Sequence, residues 1–367
     1  MKHNILSLDF WQDTAIYGSK SFPSGTLGCD ALNIPPNVIE RLNYLCIALS
    51  AFMGTLNTGC GAPALLPAAR KSAKQIAELL KNVKPFSYPD VTDVDKRLDR
   101  VFSEESLANA NAYYDAVRNG TLTNLADPRY KQGLRLLRVL PILAHLGYSL
   151  GAYQNAMLPF AEKLNVPDCK RTPEGYAELF GEIFPAVEDF GEGDGWMSMT
   201  NATLQYVPVV RPGSTVPSLV KRMLYVTFVG MFRSDLYEGL CVGHAPKKCP
   251  VCGRWFLTTN AKRTKYCGSY TPEDRLHRTC RQIGNLKGRE QRELAEDHPL
   301  KQIYTRRLDS INHRLQRRSM EPALAKVMKK LAKDKLYQAI SNVGYAQGEY
   351  ENEMELSALE AEALALL

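Results

Sequence analysis

The stretch Cys249-Pro-Val-Cys252-Gly-Arg-Trp-Phe is followed by Lys265-Tyr-Cys267 and by Arg278-Thr-Cys280-Arg. The four cysteines fall within 32 residues, in the pattern C-x2-C-x14-C-x12-C. A C-x2-C pair lets two thiolates from one tight turn bind a single ion, and Gly253 suits that turn because glycine adopts positive φ without strain. Soft thiolate ligands select zinc and bind it tetrahedrally. The sequence therefore predicts a zinc site whose ligands are Cys249, Cys252, Cys267 and Cys280.

A closed site of four thiolates has no open position for water or substrate, so we expect the zinc to be structural. The fourth ligand has an alternative, because His277 lies three residues before Cys280. The pair Cys241 and His244 is a second alternative source of ligands. We interpret the remaining cysteines as core or loop thiols: Cys29, Cys46, Cys60 and Cys169.

The predicted order around the metal is a knuckle, a short strand over residues 255–257, a hairpin turn over 258–264, and a helix from Cys280 to Leu294. This order resembles a treble-clef finger with one ligand in the first turn of the helix. It departs from that pattern because twelve residues, instead of a few, separate Cys267 from Cys280. We interpret the additional residues as an inserted loop.

Residues 223–285 resemble the zinc-finger region of a bacterial protein family of unknown function, and are similar, more loosely, to CGNR-type fingers. In those fingers an apolar helix precedes a cysteine knuckle, a hairpin containing phenylalanine, and a basic helix that begins with cysteine. The Cys-Gly-Asn-Arg signature is absent from this chain. The resemblance implies DNA binding, of the kind expected of a transcription regulator, and implies no activity for the first 200 residues. The matching residues are Cys249, Cys252, Phe256, Tyr266, Cys267, Cys280 and Arg281.

The charge of the chain is unevenly distributed. Of a net charge of +7, residues 244–337 contribute +14, with 23 Lys and Arg against 9 Asp and Glu, which leaves −7 for the rest. The last 19 residues contain six Glu and no Lys or Arg. Such asymmetry favours a polyanionic partner. A further hypothesis is that the acidic tail folds back on the basic segment and mimics phosphate.

The basic residues around the predicted metal site are candidate nucleic-acid contacts, because phosphate contacts of Lys and Arg provide affinity without sequence reading. A solvated or internally balanced charged surface is the alternative. Trp255 and Tyr266 are expected to pack in the core of the finger, whereas Tyr270 could stack on a base. The candidate contacts are Arg254, Lys262, Arg263, Lys265, Arg278, Arg281, Lys287, Arg289 and Arg292.

The rest of the chain has the apolar periodicity of a mainly α protein. Short strands and loops are expected before residue 36, and a strand over 202–210 whose Pro208 suggests a sheet edge. The predicted domains are a helical N-terminal region (1–190), a strand and apolar helix (196–245), the zinc finger (246–296), and a basic helical region with an acidic tail (297–367). The predicted helices cover roughly residues 37–56, 68–84, 93–118, 172–187, 214–240, 300–315 and 321–331, with another from Asp127 that is interrupted at Pro141.

Several classes of protein are not indicated. The chain lacks a P-loop, a G-x-G-x-x-G, an H-E-x-x-H and a G-x-S-x-G motif, so no catalytic residue is predicted. No signal peptide is evident, and nine cysteines without one suggest a reduced, cytoplasmic protein. The apolar stretch 134–153 contains Arg135, Arg138 and His145, which favours a buried helix over a membrane span. The leading hypothesis is zinc-dependent binding of nucleic acid, DNA more than RNA, in a transcription regulator or a mobile-element-associated protein. The alternative is a protein-interaction adaptor in which zinc only stabilises the fold.

Overall fold

The computed structural model describes residues 6–57, 63–89, 92–166, 169–184, 201–259, 264–271, 274, 276–293 and 298–367, with only the backbone of 287–293 and Val343. Of the described residues, 61% are helical, which confirms the mainly α class. The chain divides into two compact units. Unit 1 consists of Met1–Asn165, Cys169–Lys248 and Trp255–Arg263, and unit 2 of Val166–Asp168, Cys249–Arg254 and Thr264–Leu367.

Unit 1 contains seven strands, nine α-helices and two short 3-10 helices among its described residues. The strands are β1 (Ser7–Trp11), β2 (Thr14–Tyr17), β3 (Lys20–Pro23), β4 (Ala202–Val210), β5 (Pro217–Tyr225), β6 (Ala245–Lys248) and β7 (Trp255–Thr258). The helices are α1 (Thr26–Ala31), α2 (Pro36–Asn57), α3 (Leu66–Leu80), α4 (Val94–Val101), α5 (Glu104–Arg118), α6 (Lys131–Ala144), α7 (Leu146–Leu164), α8 (Pro173–Ile183) and α9 (Phe228–Cys241).

A five-stranded antiparallel sheet in the order β3-β2-β1-β5-β4 is the main feature of unit 1 that the sequence did not predict. The centre of the sheet joins two parts of unit 1 that are distant in sequence, because Leu8 of β1 pairs with Met223 of β5. The expected edge strand is confirmed, since β4 lies at one end of the sheet. Leu8 and Phe10 of β1 point into a large apolar core shared with helices such as α2 and α7.

The predicted helix over 214–240 is wrong, because its first part is strand β5 and only its second part is helix α9. Thr227 separates the two elements as the N-cap of α9, accepting a hydrogen bond from the amide of Gly230. The apolar run over residues 223–226 is compatible with either structure by periodicity alone. Pairing of β5 with β1 on one side and β4 on the other decided in favour of the strand.

Two other predicted boundaries differ from the structure. The single helix expected over 93–118 is two helices, because Ser103 begins α5 as an N-cap that accepts from the amide of Ser106. Pro141 does not interrupt its helix but lies within α6, and the break comes at His145. Thr172 is confirmed as the N-cap of α8, which ends at Ile183.

A buried carboxylate fixes the N-terminal segment of unit 1 to α9. Asp235, fully buried in α9, accepts hydrogen bonds from the amides of Gly25 (3.0 Å), Leu27 (2.6 Å) and Gly28 (3.0 Å). These amides begin α1, where backbone N–H groups have no intrahelical partner. Burial raises the pKa of Asp235 to about 7, against the three amides, which lower it.

No single helix among the described residues is long and apolar enough to cross a membrane. The pair formed by residues 128–144 and 146–164 passes that test only when taken together, with a bend of 47° between them. Leu140, Leu150 and Tyr153 of this pair are buried in the core of unit 1.

Unit 2 is helical after the cysteine segment and has its own apolar core, which includes Ile311, Met328, Leu336 and Leu359. Its helices are α10 (Cys280–Glu293), α11 (Pro299–Gln316), α12 (Pro322–Ser341), α13 (Val343–Gly348), α14 (Tyr350–Glu353) and α15 (Leu356–Leu364).

Candidate metal centre

The four predicted cysteines of unit 2 come together in one cluster. The sulfur atoms of Cys249, Cys252, Cys267 and Cys280 all lie within 4.8 Å of one another. The sulfurs of Cys252 and Cys267 are 3.6 Å apart. Cys249 and Cys280 are buried, and the other two are half-buried. The cluster is therefore a candidate metal site with four thiol ligands.

A tight turn brings the first two cysteines together. The amide of Cys249 donates to the carbonyl of Arg254 (2.9 Å), and the amide of Gly253 donates back to the carbonyl of Cys249 (2.9 Å). Gly253 has φ of 69°, in the left-handed region that favours glycine. The prediction of positive φ at this position is confirmed.

A capping box positions the last cysteine. The amide of Thr279 donates to Oε1 of Gln282 (2.8 Å), and Thr279 Oγ1 accepts from the amide of Gln282 (3.3 Å). This reciprocal pair is a standard start for a helix, and it confirms the prediction that α10 begins at Cys280. The amide of Cys280 also donates to the carbonyl of Ser269 (2.9 Å). The T-x-x-Q pattern at 279–282 could have located this helix start from sequence.

The thiols have different electrostatic surroundings. Burial would raise the pKa of Cys252, but hydrogen bonds from the backbone and side chain of Arg254 lower it to about 7. Burial raises the pKa of Cys280 to about 12. A positively charged side chain beside a thiolate favours the ionised form that binds metal.

The hairpin next to the knuckle differs from the prediction. The strand after the knuckle, β7, pairs backward with β6, with Lys248 opposite Trp255 and Ala245 opposite Thr258. The turn expected over 258–264 lies mostly outside the described residues, which omit 260–263. Both strands belong to unit 1, whereas the cysteines belong to unit 2. The treble-clef arrangement therefore stays a prediction.

Neither alternative ligand source is part of the cluster. His277 is exposed, with φ of 50°, and Cys280 occupies the fourth position. Nδ1 of His244 lies 2.9 Å from the carbonyl oxygen of Ser24 within unit 1. Cys241 is exposed at the end of α9.

The aromatic residues of the segment have different roles. Trp255 is 6% exposed, but it packs in the core of unit 1 and not in the core of a finger as expected, because β7 belongs to unit 1. Tyr266 packs against α10 so closely that a Cβ on Gly284 would lie 2.2 Å from its ring. Tyr270 is 67% exposed, as a contact for a partner requires.

Four of the nine predicted basic contacts have described side chains, and two of these are engaged locally. Arg254 donates to the carbonyl of Tyr270 (3.2 Å) and lies beside the Cys252 thiol. Arg278 forms an ion pair with Asp274 (2.7 Å). Lys265 and Arg281 are exposed and make no ion pair with any described residue. Lys262 and Arg263 lie outside the described residues, as do the side chains of Lys287, Arg289 and Arg292.

The acidic tail forms part of unit 2 itself. Lys335, whose side chain is 12% exposed, pairs with Glu353 (2.7 Å) and Glu362 (2.8 Å), and Arg314 pairs with Glu360 (3.0 Å). The glutamates of the tail therefore neutralise one cation of α11 and one of α12. The helices of the tail also contribute apolar residues to the core of unit 2. Other cations of α12 remain exposed, among them Lys330 and Lys333.

Comparison with known proteins found one family that is similar to the second half of the chain. A family of unknown function (DUF6076) matches residues 197–365. The match begins just before β4, includes all four cysteines, and ends within the tail. No curated protein and no solved structure is detectably similar to the chain. The similarity to CGNR-type fingers expected from the sequence stays a prediction.

Proposed function

We propose that the chain is a zinc-dependent nucleic-acid-binding protein whose target is DNA. The observation that carries the proposal is the position, directly beside the cysteine cluster, of two exposed cations that form no ion pair with a described residue. Lys265 precedes Cys267 by two residues, and Arg281 follows Cys280. A metal that fixes the cysteines would also fix the backbone from which these cations project.

The geometry of the cysteine cluster supports zinc as the metal. Four sulfurs at about 2.3 Å from a tetrahedral Zn2+ lie about 3.8 Å from one another. The distance of 3.6 Å between the sulfurs of Cys252 and Cys267 is close to that value, and all four atoms fall within 4.8 Å. Zinc bound there would act as a structural ligand that stabilises the knuckle and the start of α10.

The wider charge distribution of unit 2 supports a polyanionic partner. Arg317, Arg318, Lys330 and Lys333 are exposed on α12 and at the end of α11, in addition to Lys265 and Arg281. Each cation that meets a phosphate releases condensed counterions from DNA, so affinity arises without base contacts. A transcription regulator or a mobile-element-associated protein would use such a module for general DNA affinity.

The proposal is tested by fluorescence anisotropy of the full-length, zinc-loaded protein with labelled mixed-sequence duplex DNA across a salt series. We expect micromolar binding that weakens steeply with salt and is lost on chelation. The variant Lys265→Glu/Arg281→Glu should weaken binding about tenfold or more. The matched control is Lys71→Glu/Arg97→Glu, which makes the same change in net charge at two exposed positions of unit 1.

Equal affinity of the two variants, or no DNA binding at low salt, would contradict the proposal.

A second candidate function, a protein-interaction adaptor, is favoured by a specific observation in the cysteine segment. Tyr270 and Leu276 are 67% and 71% exposed, and exposed apolar side chains of this size suit a protein interface. An adaptor would be indifferent to both charge variants and would lose its partner in the variant Tyr270→Ala/Leu276→Ala.

A further inference from the structure

A second candidate binding site lies within unit 1, in a long groove between the sheet and α6. Its volume is about 1400 Å³. One wall is the face of the sheet that carries Thr203, Gln205 and Leu224, opposite the face that Leu8 and Phe10 present to the core. The register confirms this wall, because Thr203 pairs with Leu224, and Leu224 pairs with Ser7, which also lines the groove.

The other wall is one side of α6, with three cations at helical spacing. Lys131, Arg135 and Arg138 line the groove at positions i, i+4 and i+7. All three are exposed, and none makes an ion pair with a described residue. Successive cations are separated by about 6 Å and about 4.5 Å along the helix axis.

The other charged residues of the groove are already neutralised. Arg222 pairs with Asp9 at 2.7 Å, and Asp127 pairs with Arg129 at 2.7 Å. The Arg129 guanidinium also lowers the pKa of Asp127, so this carboxylate stays ionised and paired. Among the described residues, the groove therefore has three positive charges without a countercharge, all on α6.

We propose that this groove binds an acidic peptide in an extended conformation, with alternate carboxylates on Lys131, Arg135 and Arg138. In an extended chain, every second side chain lies on the same side, about 6.7 Å apart. That spacing is comparable to the steps between the cations, and their long side chains bridge the difference. The intervening residues of the peptide would face the opposite wall, where Leu224 provides apolar surface and Thr203 and Gln205 provide hydrogen-bonding groups.

The character of the walls favours a peptide over a nucleic acid. Single-stranded nucleic acids bind in basic grooves that also offer aromatic side chains on which bases stack. The only aromatic residue lining the described groove is Tyr225, and it is 7% exposed. Arginine binds carboxylates through paired hydrogen bonds, so two arginines and a lysine suit a short run of acidic side chains.

The test is fluorescence anisotropy of the full-length protein with a labelled hexapeptide that alternates Glu and Val. The variant Arg135→Glu/Arg138→Glu should weaken binding about tenfold or more, because each reversal replaces an attraction by a repulsion. The control Lys71→Glu/Arg97→Glu makes the same change in net charge at exposed positions that do not line the groove. A peptide in which Gln replaces Glu should bind far more weakly than the acidic one.

Three results would overturn the proposal. The first is that the acidic peptide does not bind at low salt. The second is that the groove variant and the control lose the same amount of peptide affinity. The third is that a labelled oligothymidine binds tightly through Arg135 and Arg138 while the peptide does not bind. Circular dichroism of both variants establishes that they are folded. The site belongs to unit 1 and uses none of the residues near the cysteines, so its outcome is independent of DNA binding by unit 2.

Discussion

Cys280 combines two constraints at a single residue, since it begins α10 through the Thr279–Gln282 capping box and contributes one sulfur to the cysteine cluster. We expect Cys280→Ser to lower zinc affinity by at least about 100-fold, because three thiolates and a hydroxyl cannot form the same closed site. The measurement is metal content by mass spectrometry together with competition against a chromogenic chelator.

The control for that variant is Cys241→Ser. Cys241 is exposed and is not part of the cluster, so its replacement should not change the metal content that the proposed zinc site predicts. Full zinc content in Cys280→Ser would show that this sulfur is not a ligand. If the bound metal is iron and not zinc, the four-cysteine site is correct but the proposed metal is wrong.

We expect Asp235 to make the stability of the protein depend on pH. Its pKa in the folded chain is about 7, raised by burial above the ordinary value of an aspartate. Between about pH 4 and 7 the folded state holds a proton that the unfolded state has released, so the contribution of this group to stability falls as pH rises through that window. We expect a slope that approaches about 1.4 kcal/mol per pH unit.

The measurement is the free energy of unfolding by urea from pH 5 to pH 8 for the native protein and for Asp235→Asn. The variant should be less stable, because one amide oxygen cannot accept from three backbone amides, and it should lack the part of the slope that belongs to Asp235. Parallel pH profiles of the two proteins would contradict the assignment.

At the scale of elements, the acidic tail is a structural part of unit 2. Leu359 of α15 is fully buried in the core of that unit, whereas Leu364 of the same helix is 60% exposed. We expect Leu359→Ala to lower the free energy of unfolding of unit 2 by about 2–5 kcal/mol, and Leu364→Ala to change it by less than about 0.5 kcal/mol. Calorimetric unfolding of the full-length protein measures both.

Equal, small effects of these two substitutions would show that the tail is not packed. In that case the hypothesis of a tail that covers the basic surface would regain support. The ion pairs of Lys335 with Glu353 and Glu362 instead indicate that removing the tail would leave a mostly buried cation unpaired, at a cost to stability.

For the whole molecule, the region that matches the family of unknown function does not contain all of its structural partners. Strand β5 pairs with β1, and α9 holds the start of α1 through Asp235, yet β1 and α1 precede residue 197. We expect a fragment of residues 197–367 to leave β5 and α9 unfolded. Hydrogen exchange of the fragment should show unprotected amides over residues 217–225, where the full chain is protected.

Protection of residues 217–225 in the fragment equal to that in the full chain would contradict this prediction. Exchange over α11 and α12 provides the internal control. Those helices have their core within unit 2, so their protection should be alike in the fragment and in the full chain.

The sequence alone determined the features that depend on local spacing and local chemistry. The cysteine pattern named the four clustered residues, Gly253 indicated positive φ, and Thr172-Pro173 located a helix start, because each depends on a few adjacent residues. Most helices followed from their apolar periodicity for the same reason.

Only the tertiary structure decided the features that depend on distant pairing. The apolar run of β5 became a strand because β1 and β4 flank it, although β1 lies more than 200 residues earlier in the chain. Arg278 is paired with Asp274 and is therefore not a free surface cation, and ion pairs such as Arg314–Glu360 join the tail to unit 2. The fold also places three cations of α6 opposite the wall formed by the sheet. Local sequence cannot specify which distant hydrogen-bonding edge or countercharge a segment will meet, and these partners determined β5, the tail and the groove.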